Sequence, residues 1–335
     1  ATFYPMVAMG VFPAIYSTLS PQALIEGVLT EYELEAVNRC LFWHRGLSDV
    51  YLVQTNSQDY ILKVSHHHWR SQTDIQFELE FLHFLAQHDL PVASPLKTRL
   101  QQLWVRIRAV EGDRYAALFP FAPGAIPQGD LNQQQSTLMG QTVARLHQAS
   151  LQYDCKIPRQ PLNLEYLLDD SIQIIKPYLM SCQQELAYLQ DQTNQIKAQL
   201  DCLEVKAPLW SICWGDPHSG NVHFTSSNQI TLFDFDQCGY GWRVFDLAKF
   251  LQVSLNAGIN RKVRDAFFAG YQKVQNLTEA ETSSLQALTQ MAHIWSWAIN
   301  IKASVIHNWA RLDQVYTNKR VNQLKRLSSK AWQLF

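Results

Sequence analysis

The sequence lacks several patterns that would place it in a specialised class of protein. Its six cysteines form no CxxC pair, which argues against the common zinc motifs and favours reduced thiols over a disulfide framework. Charged residues make up only 17% of the 335 residues and the net charge is −1, so no strong field would recruit nucleic acid or an anionic membrane. We therefore expect a cytoplasmic protein whose partner is neither nucleic acid nor a membrane.

Charge is also absent from the N-terminal segment, where residues 1–20 include no acidic or basic side chain. A secretory signal peptide needs a cationic start, and Pro5 and Pro13 interrupt the segment too often for a membrane-spanning helix. We interpret residues 1–20 as an N-terminal arm that lies on the body of the protein.

Periodicity divides the rest of the chain into a strand-rich part and a helix-rich part. The first part begins with apolar positions at helical spacing over 21–38. It continues with four predicted strands, over 49–55, 59–64, 102–110 and 115–121, and one predicted helix, over 72–88. The second part is helical around a β-rich insert: helices over 131–148, 166–200 and the C-terminal third, with the insert at 211–236. This pattern predicts an α+β protein of two lobes, a small β-rich N-terminal lobe at 21–123 and a larger, mainly helical C-terminal lobe at 124–335.

Three oxygen-bearing side chains in the β-rich insert have the spacing of a phosphoryl-transfer site. Asp216 lies in a tight loop, Asn221 follows five residues later, and Asp234 follows thirteen residues after that. Two strand-like runs between Asn221 and Asp234 predict a hairpin that brings these two side chains together. Their oxygens suit Mg²⁺, whereas Asp216 would orient an acceptor hydroxyl and take its proton. A single aspartate in a loop is usually a turn former, but the spacing of all three residues favours a phosphotransferase.

An apolar strand-like run contains one lysine, Lys63. One interpretation is an edge-strand charge that prevents aggregation. The other is a lysine that reaches the α- and β-phosphates of a nucleotide and is held by a carboxylate of the following helix. Glu78 and Glu80 cannot both face inward at helical spacing, and we choose Glu78 because it lies one turn before Phe81. The residues around Asp216 favour the functional interpretation.

The turn over residues 45–49 contains a single glycine, so its phosphate-binding signal is weak. We expect Ser48 and the backbone N–H groups of this turn to contact phosphate oxygens. Adenine is expected at the lobe junction, where Pro120 offers a carbonyl group but no N–H, and Ala122 offers an N–H.

Together these residues resemble the aminoglycoside phosphotransferase and choline kinase superfamily, a group of kinase-like phosphotransferases that act on small molecules. The resemblance extends over about Val37–Leu251 and is most specific in three segments: 215–221, 233–236 and 239–248. It implies a protein-kinase-like bilobal fold that uses ATP and Mg²⁺. It also implies Asp216 as catalytic base, Asn221 and Asp234 as Mg²⁺ ligands, and a pairing of Lys63 with Glu78.

The resemblance further implies that Asp246 is a buried brace under the catalytic loop and that His147 and His218 are scaffold positions. Within the superfamily, residues 77–92 and 166–169 look most like type II homoserine kinases and the related stress-response kinases. Trp214 stands where many members have histidine, and Pro217 stands where leucine is common. These departures leave the chemistry intact but weaken any transfer of substrate identity.

The C-terminal segment bears on the acceptor. From Leu285 onwards seven residues are basic and only Asp313 is acidic, although a polycationic aminoglycoside would need carboxylates. The acids over 165–204 are expected on solvated helix surface. We expect the tryptophans of this segment, Trp295 among them, to form a core stripe, the alternative being the wall of an acceptor pocket. Residues 66–68, three consecutive histidines, are expected in an exposed loop.

The leading hypothesis is an ATP- and Mg²⁺-dependent kinase acting on a hydroxyl of a small metabolite, such as an amino alcohol, a homoserine-like compound or a sugar. Two other enzymes remain open, an aminoglycoside phosphotransferase and a serine/threonine protein kinase of the stress-response type. The short span between Asp236 and Asp246 leaves no recognisable activation loop and disfavours the protein kinase. A nucleotide-binding regulatory module without turnover is the non-enzymatic alternative. The presence of all five core residues argues against it, because degeneration usually removes a ligand. The sequence leaves the oligomeric state open.

Overall fold

The computed structural model describes residues 13–334, and these residues form two compact units. The first extends to Gln72 and resumes over Leu96–Phe119, whereas the second comprises Thr73–Pro95 and the chain from Pro120 onwards. Strands dominate the first unit and helices the second, which confirms the predicted α+β class. The division into lobes at 21–123 and 124–335 stays a prediction.

The first unit is built on one five-stranded sheet with the order β1-β2-β3-β5-β4. Its strands are β1 (Arg39–Arg45), β2 (Ser48–Gln54), β3 (Asp59–Ser65), β4 (Val105–Ala109) and β5 (Gly112–Pro120). The first three strands form an antiparallel meander, and β4 pairs with β5 as a hairpin. The four strands that the sequence predicts in this unit are all present, with ends shifted by a few residues.

The two faces of this sheet differ in character. One face packs in a core with the short helix α1 (Pro21–Gly27), and this core includes Leu24, Val28, Tyr51, Val53, Leu62, Val64, Ala116 and Leu118. Ser48 pairs with Ser65 and Val50 pairs with Lys63 across β2 and β3. Because successive residues of a strand point to opposite sides, these pairs belong to the other face. Ser48 and Lys63 therefore share one face of the sheet.

The predicted helical segment over 21–38 is only partly helical. Helix α1 ends at Gly27, a 3₁₀ turn covers Leu29–Glu31, and the chain then runs without helix into β1. Leu34 and Val37 nevertheless pack against the same core as α1. The spacing of these two residues predicted a helix, but here a chain without helical structure buries the same two positions.

A buried cluster of charged and polar groups lies at the start of β2. Asp49 is fully buried, and the equally buried Arg114 donates from Nη2 to Asp49 Oδ2 at 2.8 Å. The Tyr16 hydroxyl donates to the same oxygen, and His66 Nε2 lies 3.4 Å from Asp49 Oδ1. His66 is 2% exposed. The expectation of an exposed loop at 66–68 is therefore wrong for its first residue, which contacts a buried carboxylate.

Residues 13–20 of the predicted N-terminal arm contact the strands of the first unit. Ser17 Oγ donates to Glu111 Oε2 at 2.6 Å, and Arg45 Nη2 donates to Thr18 Oγ1 at 2.5 Å. Residues 1–12 of the arm lie outside the described part of the chain.

The second unit consists mainly of helices. They are α2 (Gln72–Gln87), α3 (Gln133–Ser150), α4 (Asp170–Ile175), α5 (Gln183–Leu200), α6 (Val244–Ala257), α7 (Arg261–Gln272), α8 (Glu279–His307) and α9 (Gln314–Leu327). Helix α8 is 29 residues long and packs against α4, α5, α6 and α9. Helices α3 and α7 approach so closely that a Cβ on Gly140 would lie 2.0 Å from the Phe267 carbonyl oxygen. Within residues 13–334 no helix has both the length and the apolar character needed to cross a membrane.

The predicted helical stretch over 166–200 is interrupted. A π-helical turn at Glu165–Asp169 leads into α4, a 3₁₀ turn covers Lys176–Leu179, and α5 begins only at Gln183. Pro177 accounts for the break, because proline has no backbone N–H and its ring collides with the carbonyl of the preceding turn.

Two small antiparallel sheets occupy the chain between α5 and α6. Strand β6 (Trp210–Cys213) pairs with β9 (Gly239–Trp242), and β7 (Val222–Phe224) pairs with β8 (Ile230–Leu232). The sequence predicts the β7–β8 hairpin. It does not predict β9, because half of that strand is glycine, which is depleted in strands.

We expect Asp49→Asn to lower the free energy of unfolding by about 3–5 kcal/mol, because the buried Arg114 guanidinium would lose its closest carboxylate and keep only Glu111 at 3.6 Å. Burial raises the pKa of Asp49, but hydrogen bonds from His66, Tyr16 and Arg114 outweigh it and hold the pKa well below its usual range. The ionised group thus stabilises the fold at neutral pH, and this contribution declines as the pH falls below about 4. Urea unfolding at pH 7 and pH 3 should show a smaller difference between parent and variant at pH 3.

The control is Asp113→Asn, which removes the partner of Arg106 on the surface of the same sheet. Its urea midpoint should match that of the parent, since exposed pairs contribute little. Equal midpoints for Asp49→Asn and Asp113→Asn would contradict the importance of the buried cluster.

Candidate active site

The loop that carries the predicted catalytic base is fixed by a buried carboxylate on α6. Asp246 is fully buried, and it accepts the backbone N–H of Trp214 at Oδ2 and that of Gly215 at Oδ1, both at 2.8 Å. His147 Nε2 of α3 lies 2.8 Å from Oδ2. His147 Nδ1 lies 2.9 Å from the hydroxyl of Tyr271 on α7. Through His147 and Tyr271, Asp246 links α3, α6 and α7 to the backbone immediately before the predicted base. Its complete burial suits a structural brace rather than a reactant.

Asp216 itself is open to solvent on one side, with 28% of its side chain exposed. Lys249 Nζ lies 3.2 Å from Oδ1, and His218 Nε2 lies 3.5 Å from Oδ2. The backbone N–H of Gly220 donates to His218 Nδ1 at 3.0 Å, so that nitrogen is an acceptor and the ring proton belongs on Nε2. Lys249 is not among the residues predicted from the sequence. The one feature that points to it is its position three residues after Asp246, on the same face of a helix.

The environment of Asp216 favours its charged form. Burial raises the pKa of this carboxyl, but the Lys249 ammonium and the His218 ring outweigh burial and hold the pKa well below its usual range. The carboxylate is therefore ionised at neutral pH, and it can accept a hydrogen bond from a hydroxyl group.

Asn221 and Asp234 lie at the same end of the β7–β8 hairpin. Strand β7 begins directly after Asn221, and its first residue, Val222, pairs with Leu232 two residues before Asp234. The N–H of Phe233 donates to the Asn221 carbonyl oxygen at 3.1 Å, which continues the pairing up to the two predicted ligands.

The amide of Asn221 is oriented by the catalytic loop. Its Nδ2 donates to the backbone oxygen of Asp216 at 3.1 Å, so Oδ1 faces away from that contact and is the atom suited to a cation. Asp234 has a left-handed backbone with φ of 58°, which aspartate adopts more readily than most residues. An amide oxygen and a carboxylate are hard donors, and Mg²⁺ is commonly held by one or two such groups together with phosphate oxygens. These residues therefore fit a nucleotide-bound Mg²⁺.

Trp214 fixes the backbone around Asp234. Its indole Nε1–H lies 3.2 Å from the Phe233 carbonyl oxygen and 3.1 Å from that of Asp234. The indole ring also stacks on Phe235 with 5.6 Å between centroids. Trp214, which stands where the resemblance leads one to expect histidine, thus holds the backbone of the predicted metal ligand Asp234.

Arg159 is a second residue that the sequence analysis missed. Only 2% of its side chain is exposed, and it donates from Nε to the Cys238 carbonyl oxygen at 2.7 Å and from Nη1 to the Asp74 carbonyl oxygen at 3.1 Å. Asp74 lies in the first turn of α2. Arg159 therefore ties the helix that carries Glu78 to the loop after Asp236. It lies in an irregular segment without periodicity, and no pattern in the sequence points to it.

The predicted nucleotide-binding residues are divided between the two units. Ser48 and Lys63 belong to the first, where Ser48 is 5% exposed and both residues lie on one sheet face. The other three belong to the second: Glu78, Pro120 and Ala122. The structure brings Asp216, Asn221 and Asp234 together, and the binding roles of the nucleotide residues stay predictions.

Glu78 and Glu80 differ in their surroundings. Glu78 is 2% exposed, whereas Glu80 is half-buried and accepts a hydrogen bond from Gln76 at 2.8 Å. Glu78 is thus the inward-facing carboxylate of α2, which is the property that the sequence argument required of it.

The segment after Pro120 is docked on β7. His223 Nδ1 donates to the Ala122 carbonyl oxygen at 2.8 Å, and Ala125 exchanges backbone hydrogen bonds with Phe224 at 2.9 and 3.1 Å. Of the two predicted adenine-binding residues, Ala122 is therefore fixed to the strand that starts next to the predicted metal ligand Asn221.

A family comparison agrees with this geometry. The sequence model described as the phosphotransferase enzyme family matches residues 41–285. The chain belongs to this family. An uncharacterized protein of Synechocystis sp. is 52% identical over 329 residues, which cover 98% of this chain and 91% of that protein. The predicted superfamily is thereby confirmed, as is the enzyme class, a phosphotransferase with an alcohol group as acceptor.

Solved structures confirm the protein-kinase-like fold class. Amicoumacin kinase in complex with AMP-PNP, Ca²⁺ and Ami superposes with a TM-score of 0.77 at 21% identity, covering 92% of this chain and 93% of that one. A microcompartment-associated aminopropanol kinase superposes with a TM-score of 0.74 at 19% identity, covering 91% of this chain and 94% of that one.

We expect Trp214→Phe to lower the free energy of unfolding by about 1–3 kcal/mol, because two backbone carbonyl groups would lose the indole N–H while the stacked ring remains. The looser backbone of Asp234 should also reduce the additional thermal stabilisation given by ATP with Mg²⁺. Differential scanning fluorimetry with and without Mg²⁺–ATP measures both effects.

Trp309→Phe is the matched control, because Trp309 is 40% exposed and lies outside the catalytic loop. It should leave both quantities unchanged. A Trp214→Phe variant that gains as much stability from Mg²⁺–ATP as the parent would show that the indole does not support the metal-binding segment.

Proposed function

We propose that this phosphotransferase is an ATP- and Mg²⁺-dependent kinase that transfers the γ-phosphoryl group to a hydroxyl of a small metabolite. One observation carries the proposal: Asn221 binds the backbone of Asp216 and shares one hairpin end with Asp234. Phosphoryl transfer needs a group that orients the acceptor hydroxyl and oxygen ligands for a divalent ion, and a single rigid framework supplies both.

In the proposed reaction Asp216 accepts a hydrogen bond from the acceptor hydroxyl and takes its proton as the new oxygen–phosphorus bond forms. The bond from the γ-phosphorus to its bridging oxygen breaks, and ADP leaves with that electron pair. A carboxylate with a low pKa is a weak base, which suits a loose transition state that depends mainly on orientation. Mg²⁺ held by Asn221 and Asp234 would offset charge on the phosphates.

For the nucleotide we propose the contacts that the sequence predicts. Lys63 would reach the α- and β-phosphates with Glu78 as its carboxylate partner, and Ser48 would contact phosphate from the turn before β2. Pro120 and Ala122 would bind adenine through backbone groups. The shared sheet face of Ser48 and Lys63 and the burial of Glu78 support these assignments.

The size of the acceptor is inferred from the segment between Asp236 and Asp246. This segment is occupied by strand β9, which is paired with β6, and by the turn into α6. No stretch is left for an activation segment on which a protein substrate would lie. A small-molecule acceptor is therefore favoured over a protein.

The charge beside the base bears on the chemistry of the acceptor. Lys249 Nζ lies 3.2 Å from Asp216 Oδ1, so the negative charge of Asp216 is already balanced and adds no free carboxylate for a polycation. Asp313, the only acid after Leu285, caps α9 by accepting the Tyr316 N–H at 3.0 Å. Polycation recognition requires complementary carboxylates, and this segment provides none that is not already in use. A metabolite is therefore favoured over an aminoglycoside.

We expect Asp216→Asn to keep ATP affinity and to lose about 10²- to 10⁴-fold in kcat, because the amide preserves the shape but cannot take a proton. Asp234→Ala should instead lose Mg²⁺-dependent nucleotide binding. Isothermal titration with ATP in the presence and absence of Mg²⁺, together with ADP release, separates the two effects. A variant as active as the parent would remove that residue from the mechanism.

We expect phosphate transfer to a small hydroxyl metabolite when Mg²⁺–ATP is supplied with homoserine, aminopropanol, monosaccharides, an aminoglycoside or casein. The measurement is the mass shift of the acceptor by one phosphate, with ADP release followed in parallel. Asp216→Asn serves as the control for transfer that does not use the site. Transfer to casein alone, or to the aminoglycoside alone, would overturn the metabolite proposal.

A further inference from the structure

Helix α6 sends a second charged side chain to the catalytic loop. Lys249 lies three residues after Asp246, a spacing that places both on one face of the helix. Its side chain is 9% exposed, and Nζ lies 3.2 Å from Asp216 Oδ1. Asp246 fixes the backbone before the base, whereas Lys249 contacts the side chain of the base itself.

The Lys249 ammonium is surrounded by acceptors. Besides Asp216, it lies 2.9 Å from Ser296 Oγ on α8 and 3.1 Å from Gln252 Oε1 one turn along α6. An ammonium has three donors, and these three groups match them. The ring of Trp295 lies 5.9 Å from Nζ. A buried charge is tolerated only with such partners, and together they fix the position of Nζ.

The relative position of the two helices that hold Lys249 is fixed by a second buried ion pair. Arg243, before the first turn of α6, donates from Nε to Glu281 Oε1 at 2.7 Å and from Nη2 to Oε2 at 2.9 Å. Glu281 lies in the first turn of α8. This bidentate contact anchors α8 against α6, so Ser296 and Lys249 are carried by elements that are tied together.

We propose that Lys249 is a positioning residue of the phosphotransferase, which holds Oδ1 of Asp216 so that Oδ2 receives the acceptor hydroxyl. The inference rests on the proposed role of Asp216 as base. His218 lies 3.5 Å from Oδ2, beyond the usual range of a hydrogen bond, so this oxygen retains capacity for an acceptor. A carboxylate that can rotate would spend less time in the productive orientation, and orientation supplies a large part of the rate.

The first test is Lys249→Met, which removes the ammonium but keeps the length of an apolar side chain next to Trp295. Ser296 Oγ and Gln252 Oε1 lie 3.2 Å apart and remain hydrogen-bonded to each other. We expect kcat to fall by about 10²-fold with the KM for ATP unchanged, because Lys249 acts on the base rather than on the nucleotide. Lys249→Arg should recover part of the loss by supplying a new donor to Oδ1.

The decisive test is a double-mutant cycle with Asp216→Asn, measured as residual ADP release with acceptor present. If Lys249 acts through Asp216, adding Lys249→Met to Asp216→Asn should change kcat by less than about twofold, since the group that it positions is already lost. A direct contact of Lys249 with substrate, or a structural role that does not pass through Asp216, predicts that the two losses multiply. Multiplied losses would overturn the proposal.

Two further variants keep the test interpretable. Lys302→Met removes an exposed lysine of α8 and should leave kcat and the melting temperature unchanged. Ser296→Ala removes one support of the ammonium from a partly exposed position and should lower kcat in the same direction as Lys249→Met, but less. An active Asp216→Asn enzyme would refute the proposed function, whereas an inactive Asp216→Asn beside a fully active Lys249→Met would refute only the role of Lys249.

Discussion

The hydrogen bonds between the Asp246 carboxylate and the catalytic loop are the constraint on which the site depends. A fully buried carboxylate is tolerated only if its oxygens are satisfied, and here two consecutive backbone N–H groups and His147 satisfy them. The loop is also held against the segment after Asp236. A Cβ at Gly215, whose φ is 88°, would lie 2.2 Å from the carbonyl oxygen of Gln237. Asp216 is thus located by a buried charge on one side and by a close backbone contact on the other.

Trp214 extends this constraint to the segment that carries the predicted metal ligand Asp234. Its backbone N–H is bound by Asp246, while its indole N–H lies within hydrogen-bonding distance of the carbonyl oxygens of Phe233 and Asp234. A continuous path of hydrogen bonds therefore runs from the brace, through one residue, to the predicted ligand Asp234. The amide of Asn221 returns to the backbone of Asp216 and closes the path. Directional bonds rather than packing alone set the relative positions of the base and the two ligands.

The sequence predicted those parts of the site that are close in the chain and set by a regular element. Asn221 and Asp234 come together because a hairpin separates them, and two short strand-like runs joined by a turn are visible in a sequence. Lys249 and Arg159 were not predicted because their partners, Asp216 and Cys238, are 33 and 79 residues away in the chain. Contacts over such separations produce no periodic pattern in a sequence. His66 was misjudged for the same reason, since its burial depends on Asp49 and Arg114. The helix over 166–200 was a local error instead, because Pro177 was visible in the sequence and its effect on a helix is known.

Helix α6 brings two charged side chains, Asp246 and Lys249, to the loop that carries Asp216. One binds the backbone of the loop and the other binds the Asp216 side chain. Asp246 is fully buried, and its two oxygens are already bound by two backbone N–H groups and by His147, so it has no capacity left for chemistry. Asp216 must keep one oxygen open, and 28% of its side chain is exposed. An open carboxylate is also a mobile one unless something holds its other oxygen. Lys249, on the helix face that carries Asp246, holds Oδ1 of Asp216 from the protein interior. Gln252 and Ser296 bind the other two donors of its ammonium group. The desolvation of one more charge is thus offset inside the protein, and the second oxygen of Asp216 remains available for the acceptor hydroxyl in the proposed reaction.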